Sequence, residues 1–245
     1  MRYWPQIARA LWYTSILLQA LLLFFIYAKK VFRWSPAFAA YVTGLVTASC
    51  ARLWLQVRLH FGSIGGFSSW APTMTPMTLE VVASLMGVFA TTEVCSRIFD
   101  GYPKARLAWR TWKRRLLGAL AAWIAIVLVM ALLNLRTGIP TGLSHRVLMI
   151  LDYANNGIAP TALAAITASL AICRRYRILL PVPEGMLLLG LALNFGLNSL
   201  AAVSWLAGAR WETLYWWQFQ GLYYFAALVI WHFAIFSDRR IREES

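Results

Sequence analysis

The sequence predicts an all-α fold: a polytopic membrane protein built as a bundle of seven transmembrane helices. Three observations support this prediction, namely the composition, seven long apolar segments, and basic residues concentrated in every second gap between those segments. Apolar residues make up 60% of the 245 residues and charged residues 13%, and the mean hydropathy is +0.61. This composition is typical of a chain whose surroundings are mostly lipid.

Each apolar segment is long enough to cross a hydrocarbon core, which takes roughly 20 helical residues. The predicted helices cover approximately Ile7 to Tyr27, Pro36 to Val57, Pro76 to Phe99, Leu116 to Leu135, Val147 to Cys173, Glu184 to Ala207 and Thr213 to Ser237. Proline lies near the start of the second, third and sixth helices, where its missing N–H costs no hydrogen bond. We therefore expect one transmembrane domain over residues 1–245, with short connections.

The basic residues give this bundle a direction. Those that follow the odd-numbered helices are Lys29, Lys30, Arg33, Arg97, Lys104, Arg106, Arg110, Lys113, Arg114, Arg115, Arg174, Arg175, Arg177, Arg239, Arg240 and Arg242, which make 16 of the 23. Cytoplasmic loops of membrane proteins carry an excess of Lys and Arg. The sequence therefore predicts an N-terminus outside and a C-terminus in the cytoplasm, with the protein in the bacterial inner membrane.

Polar residues inside the predicted helices are candidates for a site, because polar groups within a bilayer are costly and usually face the bundle interior or a wet cavity. Asp152 and Asn156 lie four residues apart on the fifth helix, and Asn194 and Asn198 do so on the sixth. By depth, the outer-half group comprises Arg52, Glu80, Asp152, Asn155, Asn156, Asn198 and Gln218, with Asn194 near the middle. We expect these side chains to form an outward-facing polar pocket that binds a ligand.

A purely structural interpretation of the same residues stays open. Asparagines and small residues also join transmembrane helices, at about 1 kcal/mol or less per contact. In that case Arg52 extends toward the outer interface and Glu80 caps the positive end of the third helix.

Two further ionisable residues lie in the inner half. Glu93 precedes Arg97 by four residues, a spacing that predicts a local ion pair on one helix face. The alternative is a proton relay in which Glu93 works with His232 on the seventh helix. A transport pathway would need such groups to continue the polar pocket inward.

The sequence between the third and fourth helices predicts a surface segment. Within it, Arg106, Arg110 and Lys113 interleave with Trp109 and Trp112. This pattern predicts a short helix on anionic lipid at the cytoplasmic face. Docking of a cytoplasmic partner protein is the alternative.

Several kinds of function are not expected. The net charge of +14 is spread over the connections rather than gathered on one soluble face, so we expect no nucleic-acid partner. The seventh helix contains no lysine, which excludes covalent retinal. No catalytic motif, nucleophile-and-base pair or metal-ligand spacing stands out, so we expect no enzyme activity, no cofactor and no metal.

The run Leu11-Trp-Tyr-Thr-Ser-Ile-Leu-Leu-Gln-Ala, the segment Phe38-Ala-Ala-Tyr, and the stretch from Glu80 through Glu93 to Tyr102-Pro103 resemble a group of bacterial seven-helix integral membrane proteins of similar length. This resemblance implies a fold and no activity. The plan is also similar to the seven-helix input module of some sensor histidine kinases. This second similarity implies a sensor or an accessory subunit of a membrane assembly. A partner protein in the membrane or cytoplasm would then supply the output. The alternative function is a small-solute transporter.

Overall fold

The fold is all-helical throughout the part of the chain that the structure describes. The structure is a computed structural model, and it describes residues 4–61, 71–136, 143–206 and 212–237. The helices are α1 (Trp4–Ala28), α2 (Val31–Trp34), α3 (Pro36–Phe61), α4 (Ala71–Ile98), α5 (Pro103–Arg136), α6 (Leu143–Tyr176), α7 (Val182–Leu206) and α8 (Glu212–Ser237). The four-residue α2 was not predicted, whereas the long helices correspond in order to the seven predicted segments.

The largest difference from the predicted bounds concerns α5. This helix begins at Pro103, not at Leu116, so the basic connection is its first third and not a separate surface helix. Proline at the first helical position and the run of good helix formers after it explain the earlier start. The turn between α4 and α5 is correspondingly short, closed by backbone bonds from Asp100 to Arg97 and from Tyr102 to Phe99.

Six of the long helices form a closed ring. Around the ring, α1 contacts α3, α3 contacts α4, α4 contacts α6, α6 contacts α7, α7 contacts α8, and α8 returns to α1. Helices α4 and α7 also touch across the ring, so the interior is narrow. Helix α5 lies outside and packs mainly on α6, where Gly157 leaves no room for a Cβ beneath the ring of Trp123.

The basic connections gather at one end of the bundle, called the basic end from here on. The backbone N–H of Ala37, at the start of α3, donates to Glu93 near the end of α4 (2.9 Å). At the same end, Nζ of Lys29 lies 3.9 Å from the ring centroid of Phe236, the latter near the end of α8. The indole of Trp231 on α8 reaches the carbonyl of Leu187 near the start of α7. The C-terminal ends of α1, α4, α6 and α8 therefore lie at the same end of the bundle.

Four helices contain apolar stretches long enough to cross a membrane by length and composition. Within the described residues these stretches are Ala10–Ala28, Pro36–Leu55, Met77–Ile98 and Tyr153–Tyr176, and a shorter one covers Gly221–Ser237. Large apolar side chains such as Leu17, Phe24 and Leu132 are exposed on the outside of the bundle, where a soluble protein would rarely place so many. The chain is a membrane protein.

Candidate functional site

The predicted outer group includes one pair that the structure brings together. Arg52 on α3 and Glu80 on α4 form an ion pair, and both side chains keep partial exposure, 44% and 31%. The pair therefore links neighbouring helices while its charges remain reachable from outside the bundle. Arg52 also lies within electrostatic range of the Tyr224 hydroxyl on α8.

Deeper in the bundle, two hydrogen bonds join four polar side chains. Gln19 Nε2 on α1 donates to the hydroxyl of Tyr224 (2.7 Å). Asn194 Nδ2 on α7 donates to the hydroxyl of Tyr41 on α3 (2.6 Å). Helices α3 and α7 are not adjacent in the ring, so the second bond crosses its interior. We call these four residues the polar layer.

One polar atom in this layer is unsatisfied. Gln19 is only 3% exposed, and its Oε1 has no hydrogen-bond partner among the described residues. A buried acceptor without a partner costs about 1–3 kcal/mol. The Gln19 amide thus has one satisfied group, the N–H that donates to Tyr224, and one acceptor with no partner among the described residues.

Aromatic rings pack around Tyr41, with Phe38 and Trp231 on the side toward the basic end and Phe195 at the depth of its α7 neighbour Asn194. Trp231 packs edge-to-face on Phe38 and on Tyr41, with centroids 5.6 and 5.8 Å apart, and Phe195 stacks on Tyr41 at 6.0 Å. Trp231, Phe38 and Phe195 are each at most 1% exposed. We call these three residues the aromatic layer.

Two local features hold the aromatic layer in place. The indole N–H of Trp231 donates to the Leu187 carbonyl at 3.2 Å, so the buried nitrogen is satisfied. The ring lies directly on Gly190, where an added Cβ would overlap it. Close packing of this kind fixes the ring of Trp231 against α7.

At the basic end, Glu93 stabilises a helix start. Its Oε1 pairs with Arg97 at 3.4 Å, as the four-residue spacing predicted. Its Oε2 accepts from the Ala37 N–H at 2.9 Å and from the Ser35 hydroxyl at 3.3 Å. The carboxylate thus lies at the positive end of α3 and satisfies one of its free N–H groups. Arg97 in turn stacks over the ring of Trp34, 4.7 Å from the centroid.

The contacts of His232 differ from those of Glu93. The Nδ1 of His232 lies 2.8 Å from the Leu228 carbonyl of its own helix, and its ring packs edge-to-face on Phe25. Its Nε2 is buried and has no partner among the described residues. Within the described part of the chain, no hydrogen bond or ring contact joins Glu93 to His232, so the geometry lends the relay interpretation no support.

The remaining predicted site residues divide into two groups. Asn155 on α6 and Asn198 on α7 are half-buried. The side chains of Asp152, Asn156 and Gln218 lie outside the described residues. Of the polar layer, the sequence analysis identified only Asn194. Gln19 could have been found as a lone amide in the apolar run Ala10–Ala28, whereas a tyrosine hydroxyl in a helix gives no comparable signal.

Among the α5 residues predicted to form a lipid or partner surface, most are exposed and Trp109 is not. Arg106 and Arg110 are exposed, Lys113 is half-buried and Trp112 is 46% exposed. Trp109, in contrast, is 1% exposed, and its indole donates to Ser96 Oγ on α4 at 2.9 Å. Helical periodicity explains the difference, because Ala105 and Trp109 share the face that meets α4.

Within the described residues, no three His, Cys, Asp or Glu side chains lie close enough together to hold a metal ion. The arrangement offers hydrogen-bond donors and acceptors, one ion pair and aromatic walls, which suit the binding of a small polar molecule. Comparison with protein-family models, with curated proteins and with solved structures finds no match to this chain.

Proposed function

We infer that this protein crosses the inner membrane seven times, with its N-terminus outside, and binds a small polar ligand from the outer side without transforming it. The collection of basic connections at one end supports the orientation, because that end corresponds to the cytoplasmic side under the positive-inside rule. The exposed basic residues of α5 then meet anionic lipid headgroups.

The observation that carries the ligand-binding proposal is the unsatisfied oxygen of Gln19. It lies in a layer that already contains two amides and two phenols, and the ion pair of Arg52 and Glu80 lies toward the outer end of α3 from it. Along α3, Arg52 is about 16 Å beyond Tyr41. A ligand entering past the ion pair would reach the Gln19 oxygen and donate a hydrogen bond to it.

Binding is favoured over transport by the aromatic layer. A transporter needs a polar route on both sides of its site. Here the side toward the basic end is filled by Phe38 and Trp231, both fully buried. A receptor or an accessory subunit needs no such route, and its output would pass to a partner protein in the membrane or at the cytoplasmic face.

Cysteine labelling tests both the orientation and the closed interior. Single cysteines are placed at Asn198 and Leu191 on α7 and at Lys30 in the basic connection, in a background where Cys50, Cys95 and Cys173 are serine. A small membrane-impermeant thiol reagent added to intact cells should label only Asn198→Cys. Lys30→Cys should react only after the cells are permeabilised. Leu191→Cys should react with the reagent from neither side of the membrane. Labelling of Leu191→Cys from the cytoplasmic side would show a transport pathway instead.

Thermal stabilisation tests the ligand itself. The purified protein is screened against small polar metabolites for compounds that raise its unfolding temperature. Gln19→Leu should abolish the shift caused by any hit. The control is Thr47→Val, because the Thr47 hydroxyl is exposed and donates to the carbonyl of Thr43 on its own helix. A hit that stabilises Gln19→Leu as well as the parent binds elsewhere, and the proposed site is then wrong.

A further inference from the structure

A cavity of about 680 Å³ lies on the outside of the ring, along α6 and between α5 and α7. Trp112 on α5 forms one wall and Ser199 on α7 borders the other side. The volume is within the range of ligand sites, which is roughly 300–1,000 Å³. We call this cavity the α6 groove. It shares no lining residue with the polar layer.

The floor of the groove is one face of α6. Its residues recur at alternating spacings of three and one, as on a single helical stripe, and several are small: Ala164, Thr167, Ala168 and Ala171. The stripe runs from Pro160 to Arg175, a distance of about 22 Å at the helical rise. One leaflet of the hydrocarbon core is about 15 Å thick. The groove is therefore long enough to hold an extended acyl chain from the membrane interface to the bilayer centre.

The end of the groove at the basic end is positively charged. Arg175 lines it and is exposed. Arg115 is not a lining residue, but its guanidinium lies 6.0 Å from the ring centroid of Trp112, which forms the α5 wall. Among the described residues, the ion pairs involve Arg52, Arg97 and Arg106 but neither of these two arginines. Two guanidinium groups without a carboxylate partner suit a phosphate, which arginine binds with paired hydrogen bonds.

We propose that the α6 groove binds an anionic phospholipid, with its phosphate between Arg115 and Arg175 and one acyl chain along the alanine stripe toward Pro160 and Ser199. The charge at one end and the apolar floor match the two parts of one lipid molecule. The proposal rests on the membrane embedding of the bundle and not on any ligand of the polar layer.

Native mass spectrometry of the delipidated protein tests the site. The protein is titrated with dioleoyl phosphatidylglycerol and, separately, with dioleoyl phosphatidylcholine, which has the same chains and no net charge. The parent should bind one phosphatidylglycerol at least tenfold more tightly than phosphatidylcholine. Arg115→Gln/Arg175→Gln should lose that preference. Ala171→Trp, which fills the groove and keeps every charge, should weaken binding of phosphatidylglycerol by a similar factor.

The matched control is Arg110→Gln/Arg114→Gln, which removes the same charge from exposed positions of α5 that do not line the groove. Its affinity should stay within twofold of the parent. Equal losses in both double variants would mean diffuse attraction to a basic surface and would overturn the proposal. So would unchanged binding in Ala171→Trp, or a dimer in the parent that Ala171→Trp dissociates while lipid binding persists. The unfolding temperatures of all variants in lipid-free detergent verify that each one folds.

Discussion

The aromatic layer packs against Tyr41 of the polar layer, yet the two layers differ in completeness. In the aromatic layer the one buried polar atom of Trp231 has its acceptor on Leu187, and the rings fill the space. In the polar layer each amide has a partner for its N–H, but Gln19 Oε1 has none among the described residues. In the aromatic layer the chain supplies the hydrogen-bond partner of the Trp231 indole, whereas in the polar layer the described residues supply no donor to Gln19 Oε1. We therefore assign the aromatic layer to the stability of the bundle and the polar layer to the proposed ligand site.

Removing the centre of the aromatic layer should have the largest effect. Trp231→Ala would leave a cavity where Phe38 and Tyr41 now pack, and such truncations cost about 3–5 kcal/mol. The free energy of unfolding, measured by SDS titration in mixed micelles, should fall by that amount. Phe233→Ala on the same helix is the control, because Phe233 is 62% exposed and should change stability far less. Equal losses would mean that the two positions are packed alike, contrary to the layer described.

At the basic end, two ion pairs of equal length can be compared. Glu93 and Arg97 are 20% and 15% exposed, and Asp100 and Arg106 are 59% and 49% exposed, with 3.4 Å between the charged atoms in both. Glu93→Gln should cost about 2 kcal/mol, because it removes an anion from the start of α3 and leaves Arg97 with less compensation. Asp100→Asn should change little, since exposed pairs contribute little. The same titration measures both variants, and a larger loss in Asp100→Asn would contradict the assignment.

The sequence allowed the ends of the bundle to be predicted better than its interior. The positive-inside rule relates the lysines and arginines between helices to one side of the membrane. The gathering of the basic connections at one end of the bundle could therefore be predicted from their positions in the sequence. Which face of a helix meets which neighbour is a property of packing, and that is why Trp109 was placed on the surface although it lies against Ser96. The bond between Tyr41 and Asn194 could not be predicted either, because it joins two helices that are not neighbours in the ring.

The polar layer itself can be tested by removing one oxygen atom. Tyr224→Phe leaves the Gln19 N–H without its acceptor in addition to the unsatisfied oxygen, and should cost about 1 kcal/mol. The double variant Gln19→Leu/Tyr224→Phe removes both partners and the unsatisfied oxygen together. It should be at least as stable as the parent, because replacing both partners by apolar groups is nearly neutral or stabilising. If the double variant is instead less stable than Tyr224→Phe, Gln19 Oε1 has a partner in the folded protein and the layer is already complete.

The smallest effect on stability, and the sharpest test of function, should come from exchanging the charges of the outer pair. Arg52→Glu/Glu80→Arg keeps an ion pair between α3 and α4, and because both side chains are partly exposed, the free energy of unfolding should stay close to that of the parent. Arg52→Gln alone should also change it little. We expect ligand binding to respond differently, because the exchange moves the positive charge from α3 to α4 and so changes its electrostatic interaction with Tyr224. The rise in unfolding temperature that a ligand causes should therefore be lost in Arg52→Glu/Glu80→Arg and in Arg52→Gln. Restoration of ligand binding by the exchange would mean that the pair only joins two helices, and the site would have to be confined to the polar layer beneath it.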